Sequence, residues 1–212
     1  NGTINCAFLG ISDLTGIEVF TALTQLSCNE NNLTSLDVSG ATALTELYCS
    51  NNQLTSLDVS GATALTLLAC NVNNLTSLDV SNNLALDDLY CRNNNLTNLD
   101  VSGATALTYL DCVSNQLTSL DVSSNLVLDI LYCRYNNLTS LDVSGATALT
   151  ELYCSSNFLT SLDVSQNTAL IHLNCYDNNL TSLDLRNGNN TNLFDFDATN
   201  NPNLCIAVDD PV

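Results

Sequence analysis

One period governs this chain. Cys28, Cys49, Cys70, Cys91, Cys112, Cys133, Cys154 and Cys175 follow one another in steps of 21 residues. Around each stands the same frame, L-x-x-L-x-C-x-x-N-x-L-T-x-L-D-[VL], and eight such units run from residue 23 to residue 191, the last stretched by two residues. Self-similarity at 20 to 50 residues is the mark of a solenoid, in which each repeat buries its apolar face only against its neighbours. The ends decay. "LTGIEVF" (Leu14 to Phe20) keeps the apolar columns of a half-unit, and "LFDFDATNNPNLCIAVD" keeps those of a ninth unit. Residues 1–22 therefore read as an N-terminal capping segment with a partial repeat, 23–191 as eight repeats, and 192–212 as an atypical closing repeat or cap.

Each unit is two half-units. "LTELYCSNNQ" and "LTSLDVSGATA" share L-x-x-L-x-[apolar], and the L-x-C and L-x-V cores alternate with period two. That alternation predicts a short strand with one inward face. Asn, Ser, Gly and Thr fill the intervals and turn the chain, and no stretch has the spacing of an amphipathic helix. The expected fold is an all-β, right-handed solenoid of about nine turns with two short parallel β-sheets, roughly 45 Å long at ~4.8 Å per turn.

The motif L-x-x-L-x-C-x-x-N-x-L resembles the leucine-rich repeat, with Cys in place of the third Leu. The doubled 21-residue form resembles the bacterial IRREKO subclass, and the Cys variant with "LTSLDVS" is similar to repeats of secreted and surface proteins of Bacteroidetes. "NPNLCIAVDD" resembles the closing unit of such arrays. The resemblance implies a binding scaffold that is secreted or held at the cell surface.

Twenty-two acidic residues face three arginines and no lysine, a formal net charge of -19. Nucleic acid and anionic membrane surfaces would repel such a chain. No apolar run approaches the ~20 residues that span a bilayer. The chain has no Met, and it reads as a mature piece from which any leader is gone.

In a solenoid each alignment column becomes a row of stacked side chains. The eight periodic cysteines point inward, two residues after an inward Leu. Neighbours about 4.8 Å apart on parallel strands are too parallel to bridge, and a straight row does not converge on a tetrahedral metal. A ladder of reduced, buried thiols is expected. Cys6 and Cys205 lie off the period, at opposite ends. The column Asn31, Asn52, Asn73, Asn94, Asn115, Asn136, Asn157 and Asn178 is expected to satisfy backbone groups of the turns. The column Asp37, Asp58, Asp79, Asp100, Asp121, Asp142, Asp163 and Asp184 faces outward. Mutual repulsion is expected to raise its pKa values. It reads either as a solvated acidic face or as a row for Ca²⁺, the one cofactor the sequence leaves open. The unbroken Thr column, Thr34 to Thr181, reads as a tolerated β-branched row. The Asn-Leu-Thr triplets that fit a glycosylation pattern are by-products of the repeat.

Function is sought in the columns that vary. Those of the first half-unit carry Tyr48, Leu67, Tyr90, Arg92, Tyr109, Asp111, Ile130, Tyr132, Arg134, Tyr153, His172 and Tyr176. Tyrosine and arginine are enriched at binding hot spots, and tyrosine also suits β-strands for purely structural reasons. Leu67 and Ile130 are expected to be exposed. One histidine and no phosphate-cradling Gly-rich loop give catalysis no foothold. The expectation is a non-enzymatic extracellular scaffold for a protein or glycan ligand. The alternatives are a structural stalk or end-to-end filament, and a calcium-dependent surface module.

Overall fold

The computed structural model describes residues 2–210; positions 1, 211 and 212 of the two expected end segments lie outside the described residues. Every strand is three residues long and all pairing is parallel. One sheet has ten strands: Thr3–Asn5, Gln25–Ser27, Glu46–Tyr48, Leu67–Ala69, Asp88–Tyr90, Tyr109–Asp111, Ile130–Tyr132, Glu151–Tyr153, His172–Asn174 and Asp195–Asp197. Each belongs to one turn of an all-β solenoid, whose only helical elements among the described residues are the 3-10 turns Ile17–Val19 and Asn190–Asn192. The turn count is thus about ten. The extra one comes from Thr3–Asn5, where Ile4 stands in register with Leu26.

That register corrects the reading of Cys6. Its N–H donates to the Ser27 carbonyl at 2.8 Å, as the Cys28 N–H donates to Tyr48. Cys6 therefore heads the cysteine column. Its turn is one residue longer than the 21-residue turns that follow from Cys28 to Cys175, so it falls outside the strict period. Cys205 lies on the other side of the coil, exposed, in register with Ser182.

The core is the stack of inward columns. Cys28 through Cys175 are fully buried, as are the leucines on either side of them. None of the ten cysteines is bridged. Burial pushes the thiols of Cys28, Cys70 and Cys175 up to about 12, and those of Cys49, Cys91, Cys133 and Cys154 well above the usual thiol range. A neutral thiol there is a small apolar residue.

The turn after each cysteine is held by its asparagine. Asn115 Nδ2 donates to the carbonyls of Cys112 in its own turn and Cys91 in the turn before, both at 3.1 Å. Its Oδ1 accepts the Leu96 N–H at 3.0 Å. The pattern repeats at Asn52, Asn73, Asn94, Asn136, Asn157 and Asn178, and Asn31 reaches Cys6 in the same way.

The second half-units build a sheet in pieces: Ser77–Asp79 with Asn98–Asp100, Ser119–Asp121 with Ser140–Asp142, and Ser161–Asp163 with Ser182–Asp184 and Cys205–Ala207. The gaps follow a two-turn alternation. At the turn after Val80, Val122 and Val164 stand the buried Asn83, Asn125 and Asn167, whereas the turns between carry Ala104 and Ala146. Asn125 Nδ2 donates to Val101 and Ala104 of the preceding turn, at 3.0 and 2.8 Å. Asn83 and Asn167 do likewise across the other two gaps. Where Ser77–Asp79 pairs with Asn98–Asp100 and Ser119–Asp121 with Ser140–Asp142, the turn after the second strand carries glycine: a Cβ on Gly103 would collide with the Ser81 carbonyl, and one on Gly145 with the Ser123 carbonyl. Side-chain amides and close backbone contact thus alternate along this flank.

Candidate binding face

The ten-stranded sheet places its first and third strand residues outward and its middle leucine inward, because side chains alternate along a strand. Adjacent turns bring the outward residues into two rows. In one, Tyr48, Ala69, Tyr90, Asp111, Tyr132 and Tyr153 follow in register; in the other, Glu46, Leu67, Asp88, Tyr109, Ile130, Glu151 and His172. Tyr109 belongs to the second row but leans across to the first. Its ring lies 4.9 Å from that of Tyr90 and 5.7 Å from that of Tyr132, and Tyr132 lies 5.1 Å from Tyr153. Four rings are therefore continuous over four turns. The Tyr132–Tyr153 and Tyr109–Tyr132 contacts are edge-to-face, the arrangement that ring quadrupoles favour.

Asp111 stands in register between Tyr90 and Tyr132, in the row that Tyr109 leans across. Its column predicted an outward carboxylate; the structure buries it, with 5% of its surface exposed. Burial raises its pKa, opposed by the Val113 N–H that it accepts at 3.2 Å and by Arg92 and Arg134 on either side. Arg92 Nε is 3.9 Å from Asp111 Oδ2. Leu67 and Ile130 are half-buried among their neighbours rather than exposed, since three-residue strands leave their outward side chains packed against the flanking turns.

The Arg134 guanidinium carbon lies 5.5 Å from the Tyr153 ring centre and 5.9 Å from that of Tyr132. Two carboxylates that the residue pattern did not single out pin the phenols: Tyr48 donates to Glu46 and Tyr132 to Glu151, each at 3.0 Å. Their signal was present, since both stand in the row next to the tyrosines. Burial is the first cause that pushes up the phenols of the row, Tyr109 to about 12. Tyr176 and His172 stand apart from the four rings. Tyr176 is exposed on the adjoining corner and accepts a hydrogen bond from Asn200 at 2.9 Å. The His172 ring packs edge-on against Phe194 at 5.8 Å.

The aspartate column lies on the other flank, and its electrostatics correct the expectation of raised pKa values. Asp58, Asp100 and Asp142 accept the N–H of the serine two positions on, each at 2.9 Å. Hydrogen bonds from that serine hold Asp37, Asp58, Asp79, Asp100 and Asp142 below the usual carboxylate range, because they outweigh repulsion across solvent. Arg186 holds Asp184 at about 2. Among the described residues, no three His, Cys, Asp or Glu side chains form a group that could hold a metal ion.

No protein-family model and no curated protein sequence matches the chain. Solved structures do. The functional domain of InlJ from Listeria monocytogenes, which includes a cysteine ladder, is 38% identical, with a TM-score of 0.81 over 98% of this chain and 53% of that one. The fold is a leucine-rich-repeat solenoid. An internalin, InlF, also from Listeria monocytogenes, aligns at TM-score 0.78 with 21% identity over 97% of this chain and 60% of that one. YopM, a leucine-rich effector protein from Yersinia pestis, aligns at 0.73 with 24% identity over 86% and 51%. The latter two share the fold. This leucine-rich-repeat chain spans between half and two thirds of the length of these relatives. Among its described residues no helix is long and apolar enough to cross a membrane.

Proposed function

We propose that this leucine-rich-repeat array is a non-enzymatic extracellular scaffold, secreted or on the cell surface, that recognises a protein or surface glycan through the outward face of its ten-stranded sheet. The observation that carries this is the continuous row of Tyr90, Tyr109, Tyr132 and Tyr153, with ring separations of 4.9 to 5.7 Å, on a face whose columns vary while the opposite flank repeats. Rigid aromatic rings supply contact area at low entropic cost. The repeats are of the doubled IRREKO type, like those of Bacteroidetes surface proteins; the strand that most units give to each flank supports this assignment. Residues 1–22 and 192–212 act as end caps on the eight repeats of 23–191. No resident cofactor is part of the scaffold, so EDTA and Ca²⁺ should leave its melting temperature and oligomer size unchanged.

The test is a glycan and protein binding array probed with the wild type and with a variant carrying Ala at Tyr90, Tyr109, Tyr132 and Tyr153. Loss of the wild-type hits with an unchanged circular dichroism spectrum is expected. Hits that survive the fourfold change would place binding elsewhere.

A second role, end-to-end association, is favoured by apolar exposure at both ends of the rod. Phe8, Leu9 and Phe20 stand exposed at one end and Phe194, Phe196 and Ile206 at the other. The outermost strands Thr3–Asn5 and Asp195–Asp197 pair on one side only. Such edges are templates for further pairing. Filaments that lengthen with concentration under the electron microscope would bear this out, and a monomer at every concentration would exclude it.

A further inference from the structure

The outward tyrosine row has a gap at Ala69. Tyr48 and Tyr90 stand in register on either side of it. Two strand spacings, roughly 9.6 Å, separate their Cβ atoms. A planar group in contact with a ring on each side spans about 7–8 Å, so the interval admits one with room to spare. The floor is Ala69 and the half-buried Leu67, and the rim is Glu46 and Asp88, which flank Leu67 in register. Glu46 Oε2 is fixed by hydrogen bonds from Gln25 and Tyr48, each at 3.0 Å. The Asp88 carboxylate has no hydrogen-bond or ion-pair partner among the described residues. The groups sense one another across the gap: the Tyr48 phenol is raised first by burial, then by Glu46, and further by Asp88 and Tyr90.

The chain itself shows that a guanidinium settles on tyrosines of this face: Arg134 sets its guanidinium over the touching rings of Tyr132 and Tyr153, and Glu151 holds the Tyr132 phenol. The Ala69 notch offers the same residue types, two tyrosines and carboxylates, with the rings set apart instead of in contact and without an arginine: Asn71 stands where Arg92 and Arg134 stand in later turns. A net charge of -19 draws cationic partners to the whole molecule, and aromatic faces backed by carboxylates hold a cation where it docks.

We propose that the notch between Tyr48 and Tyr90 receives an arginine side chain from a basic segment of a partner protein. It rests on the reading of this sheet face as the partner surface, and it names the chemistry that one subsite selects.

Hexa-arginine and the uncharged hexa-citrulline serve as probes at about 150 mM salt, where long-range attraction is largely screened. The chain has no Trp, so emission from its seven tyrosines reports directly on the face, with calorimetry alongside. Hexa-arginine should bind and hexa-citrulline should not. Ala69→Tyr, which fills the notch, and Tyr48→Leu, which removes one wall, should each weaken hexa-arginine about tenfold. Asp88→Asn should weaken it more than Asp142→Asn, which makes the same charge change on the opposite flank. Ala69→Tyr and Tyr48→Leu proteins that bind hexa-arginine like the wild type, or equal effects of the two Asp→Asn changes, would overturn the proposal and leave only bulk charge attraction. Oligosaccharide binding that Ala69→Tyr abolishes, with hexa-arginine unaffected, would overturn it in favour of a sugar site. Neither Ala69 nor Tyr48 belongs to the fourfold tyrosine variant, so this subsite can fail while the wider face still binds.

Discussion

Asn115 and Cys91 belong to successive turns, yet the asparagine side chain donates to the cysteine's carbonyl at 3.1 Å. Each asparagine of the column thereby closes its own turn and ties it to the one before. Asn115→Ala leaves buried carbonyls and the Leu96 N–H short of a partner, and should cost about 1–3 kcal/mol. Asn125 makes a different link. Its Oδ1 is buried without a hydrogen-bond partner, and the carbonyls it reaches already accept from Ala104 and Leu107. Asn125→Ala should therefore cost less than Asn115→Ala. Urea unfolding of both variants followed by circular dichroism checks the order.

The cysteine column makes a prediction about reactivity. The thiolate is the nucleophile, and burial holds the column thiols protonated. Native protein should titrate with a thiol reagent at Cys205 first and at the half-buried Cys6 more slowly. The eight periodic cysteines should react only on denaturation. A mass shift that reveals a bridge within the column would contradict this.

Much of this was legible because a strict period converts sequence into columns, and a column of Leu or Cys has one physical interpretation. The first turn was hidden by a single extra residue that puts Cys6 out of step with Cys28. The Asn83, Asn125 and Asn167 alternation has a period of two turns inside half-units that look constant when aligned one by one. On the tyrosine face, columns assign each residue a row but not a lean. Nothing in the spacing indicates that Tyr109 crosses over Asp111 to join Tyr90 with Tyr132. The sign of the aspartate shifts is hidden for a related reason: like charges along a row suggest raised values, and the serine two residues on, which lowers them, stands outside the column.

Those shifts predict the acid response. A carboxylate whose pKa is depressed in the folded state adds stability that is complete above its unfolded value, near 4, and is lost as the pH falls through the folded value. Asp37, Asp58, Asp79, Asp100, Asp142 and Asp184 all act in this direction. The melting temperature should fall below about pH 4 and continue falling toward pH 2. Asp58→Asn, Asp100→Asn and Asp142→Asn, combined, should flatten that fall, because an amide oxygen still accepts the serine N–H but no longer titrates.

Asp111 works in the opposite sense. Its folded pKa is raised, so its contribution is complete below pH 4 and is lost as the pH rises through the folded value. Asp111→Asn should raise the melting temperature at pH 7 and leave it unchanged at pH 3. An equal shift at both pH values would show that packing, not ionisation, sets the effect.

The corner after each cysteine column passes through a left-handed residue: Asn51, Asn93, Ser114 and Ser156 have φ between 54° and 56°, and Val72 and Tyr135 have φ of 54° and 55°. Asparagine tolerates that region, whereas a β-branched side chain crowds the following carbonyl, at roughly 1–2 kcal/mol. Val72→Asn should therefore raise stability by about 1 kcal/mol, measured as a shift in the urea midpoint. Tyr135 is exposed and adjoins Arg134 on the tyrosine face. Tyr135→Asn should bring a gain of the same sign. If the four-ring row is the partner surface, that gain should come with weaker binding at that row, whereas Val72→Asn, three turns away, should leave binding at that row intact. Two variants that relieve the same backbone strain and differ only in binding would show that strain is tolerated at Tyr135 for the contact its ring makes.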